Sequence, residues 1–202
     1  MHPKKDQATT EQNRVLGVAA LRALGHPLRA RIFDLLSQYG PQTSSTLAEL
    51  MGESSGSTSY HLRILARQNL IREIPERSSG RERWWERPPG GVTMDGAEIA
   101  HTPAGRAALQ VAVAETHRLR YEELTEFLLQ RAEREPEEWQ RASTSITAST
   151  RMTAAQLEEV SRKIDELITE TIRRYRHQEG DDVRPVTLRA DLFPLKAPGA
   201  TS

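Results

Sequence analysis

Gly52-Glu53-Ser54-Ser55-Gly56 matches Gly-x-Ser-x-Gly, the turn on which serine hydrolases mount a nucleophile. That chemistry needs a strand before the serine, a helix after it, and acid and histidine partners downstream. Here a helical pattern precedes the serine and no parallel-sheet pattern follows, so the glycine and serines read better as a turn and a cap. His101, Glu115, His117 and Glu122 could offer nitrogen and oxygen ligands, but their spacing is not a tight metal pattern and solvated helix residues explain them. His26 reads as a capping or packing residue. The chain has no cysteine, which removes disulfides, thiolate metal sites and cysteine nucleophiles and fits a reducing compartment. It also carries no glycine-rich phosphate loop or dinucleotide fingerprint. What remains is a set of hydroxyls and cations: Thr43, Ser44, Ser54, Ser55, Ser57, Ser59, Tyr60 and Arg63, then Arg77, Arg81 and Arg83. Hydroxyls, a phenol and a guanidinium on one helix suit base edges, and loop arginines suit phosphates. The expected activity is non-catalytic DNA binding, with no cofactor identified.

These residues need positioning. Leu47 and Leu50, three apart, predict one buried face on a short helix that starts near Thr43 and ends at Gly52. Ser54 or Ser55 can cap a second helix, in which Leu62 and Leu65 form the buried stripe with Thr58 and His61 beside it. Ser55, Ser57, Ser59, Tyr60 and Arg63 fall largely outside that stripe, as in a helix laid in a major groove. Leu70 to Pro75 and Arg81 to Arg87 then read as strands joined by the polar loop of Glu76, Arg77, Ser78, Ser79 and Gly80. Trp84 and Trp85 face opposite sides of a regular strand, and core packing is the safer role for both.

The order helix, turn, helix, hairpin is a winged helix-turn-helix. LRALGHPLRARIFDLL at 21–36, LAELMGESSGSTSYHLRIL at 47–65 and the Asn69-Leu70-Ile71 step resemble the ArsR-like branch of bacterial winged-helix regulators. Glu138-Trp139 and MTAAQLEEV at 152–160 look like the helical extension that some relatives carry. The resemblance implies a DNA-binding regulator. Relatives can bind metal at a dimer interface, but the cysteine sensing motif of that family is absent, so thiolate metal sensing is not carried over.

The 202 residues have a formal net charge of zero, unevenly distributed. Residues 20–90 hold ten Arg against seven acids, whereas residues 91–202 hold 15 basic against 19 acidic side chains. The segment expected to read DNA is thus mildly basic, and affinity has to come from placed arginines rather than a strong field. There is no apolar amino-terminal leader and no 18-residue apolar run, so the chain reads as cytoplasmic with no membrane partner.

Residues 1–13 are expected to be a disordered tail. Val15 to Ala23 reads as a helix broken by Gly25-His26-Pro27, with Pro27 opening the next helix through Leu28, Ile32, Leu35 and Leu36. Pro88-Pro89-Gly90-Gly91 ends the wing and marks a domain boundary; Val92 to His101 carries no clear structural pattern. Thr102-Pro103 opens a long helix to about Arg134, and a shorter one carries Trp139. Thr153 and Gln156 form a capping-box pattern for a helix with Leu157, Val160, Ile164, Leu167, Ile168 and Tyr175 on one stripe. Val183 to Leu195 alternates like a late strand. The expected fold is mainly α: a winged helix-turn-helix with a small β-hairpin over 14–90, then a helical extension over 91–202 for dimerisation. The expected partners are double-stranded DNA and a second copy, and a small-molecule effector is an option for the extension.

Overall fold

The computed structural model describes residues 14–77, 82–88, 92–93, 99–175 and 178–196. The predicted tail over 1–13 lies outside them. The chain divides into two compact units, Met1–Gln140 and Arg141–Ser202. Pro89, Gly90 and Gly91, where the sequence places a boundary, lie outside the described residues.

Strand β1 (Arg14–Val15) leads into α1 (Val18–Leu24), α2 (Pro27–Tyr39), β2 (Gln42–Thr43), α3 (Ser44–Met51) and α4 (Ser55–Arg67). The wing follows as β3 (Arg72–Glu73), a 3-10 turn at Pro75–Arg77, and β4 (Trp84–Glu86), after which β5 (Val92–Thr93) leads towards α5 (Pro103–Glu126). The three wing strands are antiparallel in the order β2-β4-β3, with Thr43 opposite Trp84 and Arg72 opposite Glu86. β5 lies parallel to β1, giving structure to part of the 92–101 stretch that carries no clear sequence pattern.

Local chemistry explains the helix limits. Pro27 occupies the first turn of α2, where a missing N–H costs nothing, and Gly40 ends it at φ 71°. Gly52 leaves α3 in the left-handed region, and the N–H groups of Gly52 and Glu53 return to the carbonyls of Glu49 and Ala48. α4 ends in the same way without glycine. Asn69 takes φ 55° and donates to the Ala66 carbonyl, while Leu70 donates to that of Leu65. Arg29 closes α1 by donating from Nε to the Ala23 carbonyl at 2.5 Å.

The core joins Leu16, Leu21 and Leu24 to Ile32, Leu35 and Leu36 of α2, Leu47 of α3, and Leu62 and Leu65 of α4, with Ala108 and Ala112 of α5 added. Three expectations change here. Leu47 is fully buried but Leu50 is half exposed, so the inner face of α3 is formed by Leu47 and Ala48. Val15 is in a strand and exposed, and Leu16 enters the core in its place. The Trp pair divides as its alternation required: Trp85 is in the core, whereas Trp84 is only half-buried, with Arg77 6.0 Å from its ring centroid.

α5 does not run regularly to Arg134. It passes through a π-helical turn at Phe127–Arg131 and a 3-10 turn at Ala132–Arg134. In α6 (Glu137–Ala142) Trp139 is half-buried. The second unit contains α7 (Ala154–Tyr175), opened by the expected box: Thr153 N–H donates to Gln156 Oε1 and Gln156 N–H to Thr153 Oγ1. No residue of α7 is buried. Residues 183–196 form no strand, since alternation alone supplies no paired edge.

Candidate nucleic-acid interface

The expected hydroxyls fall into three groups. Thr43 is the N-cap of α3: its Oγ1 accepts from Thr46 N–H at 3.2 Å, and its own N–H reaches Thr46 Oγ1. At 3% exposure it is buried, so it supports α3 rather than presenting a hydroxyl outward. That corrects its place in the expected contact set. Ser44 and Ser59 are half-buried and face each other, with hydroxyls 2.7 Å apart. Ser44 also donates to the Ser55 carbonyl. This pair ties the start of α3 to the first turns of α4 and fixes the angle between the two helices.

Ser54, Ser55 and Ser57 form the third group. Ser54 caps α4 by accepting from Ser57 N–H at 3.2 Å, and its own O–H remains a donor. Ser54 and Ser55 are exposed, and Ser57 is partly so. The free N–H groups of the first turn make this end of α4 electropositive, a suitable setting for a phosphate.

Along α4 the two faces are sharply divided. Thr58, His61, Leu62 and Leu65 are buried, and the Thr58 hydroxyl donates to the Ser54 carbonyl. Tyr60, 60% exposed, and Arg63 lie on the opposite face. Arg67, absent from the expected set, shares that face. Its spacing of seven from Tyr60 and four from Arg63 was a sufficient signal. Gly56 completes the row four residues before Tyr60, and open space surrounds the position of its missing Cβ.

On the wing, Arg77 is exposed beside Trp84. Arg83 is held 3.4 Å from Glu73, and Arg72 is 2.6 Å from Glu86 across the strands. Both arginines are exposed, and surface pairs of this kind contribute about 0–1 kcal/mol, so a phosphate can compete for them. Arg81 lies outside the described residues, as do Ser78 and Ser79.

Beneath the exposed face, the His61 ring packs against His26 at 4.6 Å between centroids and meets Tyr60 edge-on at 5.3 Å. His26 is therefore a packing histidine. Burial, followed by the charge of Arg29, pushes the His26 pKa below the usual histidine range; burial and then His26 itself do the same to His61. Two of the other candidate ligands are held in ion pairs. Glu115 and Glu122 both bind Arg118 at 2.5 Å. Gly52 and Ser54 stand between two helices, with no strand before the serine, so the hydrolase turn is ruled out by its context.

The unit is a winged helix-turn-helix followed by a helical extension. Residues 24–74 match the family model of the helix-turn-helix domain, from the end of α1 to just past β3. Helix-turn-helix domains are typical of DNA-binding transcription regulators, a class that is typically non-enzymatic. No curated protein matches the chain. Among solved structures, it is similar to the adhesin competence repressor AdcR from Streptococcus pyogenes, with 17% identity over 72% of this chain and 81% of that one. The TM-score is 0.33. Among the described residues no helix is long and apolar enough to cross a membrane.

Proposed function

We propose that this chain is a sequence-specific transcriptional regulator of the ArsR-like kind that binds duplex DNA as a homodimer. α4 enters the major groove, and the wing rests on the backbone. The observation that carries this reading is the division of α4: a fully buried apolar face stands opposite an exposed row of Gly56, Tyr60, Arg63 and Arg67. A glycine lets the helix approach closely, a phenol and guanidinium reach base edges, and the serines at the helix start hold a phosphate. Tyr121, Leu124 and Leu128 form an exposed stripe on α5 and the adjoining π turn, and α7 carries another; both suit helix packing between two copies.

A promoter fragment from the chain's own locus is expected to shift at nanomolar to micromolar protein and to resist random competitor. Specific sites are typically about 10³ to 10⁷ times tighter than non-specific DNA. Tyr60→Ala should relax preference at one or two positions while leaving the salt dependence nearly unchanged. Equal affinity for promoter and random duplex would sink the reading. It would leave a winged-helix protein-interaction module, which the ion-paired wing arginines and the zero net charge favour.

A further inference from the structure

Between the Gly25–His26 turn and the first turns of α5 lies an open cleft of about 440 Å³. Small-ligand sites span roughly 300–1,000 Å³ and combine apolar walls with a few placed polar groups. Pro27, Ala107 and Val111 supply apolar wall, while Arg22, Arg29 and His26 supply the polar part. No carboxylate is among the described lining residues. Glu115, the acid nearest His26 in electrostatic influence, is already bound to Arg118.

The back of the cleft is tightly built. A Cβ on Gly25 would come within 2.9 Å of Val111 Cγ1, so the turn and α5 are already at contact distance. Arg29 is anchored through Nε to the Ala23 carbonyl and through Nη2 to the Arg22 carbonyl. Those two bonds fix its guanidinium and leave three N–H donors. Three rings then lead away from the wall: His26 packs on His61, and His61 meets Tyr60 on the exposed face of α4. The Nδ1 atoms of both histidines are buried with no hydrogen-bond partner among the described residues, so these imidazoles are held by packing alone on that side.

We propose that this cleft binds a small organic anion with an apolar body, a carboxylate or a phosphate monoester. Arg22 and Arg29 hold its charge, and Pro27, Ala107 and Val111 hold its body. Occupancy displaces His26 and, through His61, shifts α4. The binding site stands on its own geometry, whereas an effect on DNA rests on α4 being the helix that enters the major groove.

The test is an NMR titration of the full-length protein, following the imidazole C–H signals of His26 and His61. Benzoate, phenyl phosphate and uncharged benzyl alcohol are the probes. One or both anions should saturate, at least tenfold tighter than benzyl alcohol, and the tighter one identifies the head group. Arg22→Gln should weaken that anion tenfold or more while both histidine signals keep their free positions. Ala107→Trp, on an exposed helix position, should block binding by filling the cleft. If neither anion saturates, or benzyl alcohol binds as well and Arg22→Gln changes nothing, the site is overturned. If His26 responds and His61 does not, the transmission is overturned and the site stands. A parallel DNA mobility shift assay that detects no specific binding would end the regulator reading without altering the NMR result.

Discussion

α4 and α7 are both amphipathic helices, yet they meet opposite fates. α4 has 13 residues, and its Leu62 and Leu65 are completely buried by α1, α2 and α3. α7 has 22 residues and a longer apolar stripe through Leu157, Val160, Ile164, Leu167 and Ile168, but none of them is buried and Leu167 is 65% exposed. A 3.6-residue period establishes that a helix has an apolar face; it does not say what covers that face. For α4 the cover is supplied by neighbours brought together within one unit. For α7 the proposed homodimer would supply it from a second copy.

The largest expected difference between the helices is in core energetics. Leu62→Ala should lower stability by about 2–5 kcal/mol, measured as a urea midpoint shift at unchanged slope, because the cavity is enclosed. Ile164→Ala should have a concentration-dependent effect, small in dilute protein and larger where dimers prevail. If Ile164→Ala costs as much as Leu62→Ala at every concentration, α7 is a core helix and the contrast fails.

A charge on the stripe sharpens the same comparison. Leu167→Asp should move the sedimentation profile from dimer towards monomer with far-UV helicity retained. It should weaken operator binding as well, since two linked half-sites act through effective concentration. A dimer unaffected by Leu167→Asp would transfer the interface to the Tyr121, Leu124 and Leu128 stripe.

The pH response should arise beneath α4. Both His26 and His61 have lowered pKa values in the folded chain, so the unfolded chain takes up protons first as pH falls. Their contribution is fully present above the unfolded value of about 6.5 and is lost as pH drops from there towards the lowered folded values. Arg29 and Glu115 act on His26, and His26, Arg29 and Glu53 act on His61. Thermal melts between pH 5 and 8 should show this slope, and His26→Gln with His61→Gln should flatten it. An unchanged slope in the double variant would assign the titration to other groups.

Smaller effects separate support from contact. Thr43→Ala should cost roughly 1 kcal/mol through the lost cap of α3. Arg83→Ala should alter stability by no more than about 1 kcal/mol, yet reduce the log–log salt slope of DNA binding by about one unit. Sequence preference that vanishes with Arg83→Ala but survives Tyr60→Ala would make the wing the reader and α4 the support.

Local structure in this protein is legible from the order of its residues. The left-handed exit at Gly52, the Ser54 cap, and the Thr102 and Thr153 caps depend on hydrogen bonds spanning at most a few residues, and Pro27 suits the first turn of α2 because no N–H is needed there. The division of α4 is legible for the same reason, because Leu62 and Leu65 against Tyr60 and Arg63 is a matter of helical phase. Whatever needed a distant neighbour came from tertiary packing. It buried Leu47 and left Leu50 exposed, paired β5 with β1, and brought α5 into the core through Ala108 and Ala112. It also tied Ser44 to Ser59 and packed His26 on His61, contacts that join residues 15 and 35 apart. Hydrophobic burial and long-range pairing are set by which surfaces meet, and no spacing along one segment encodes its partner.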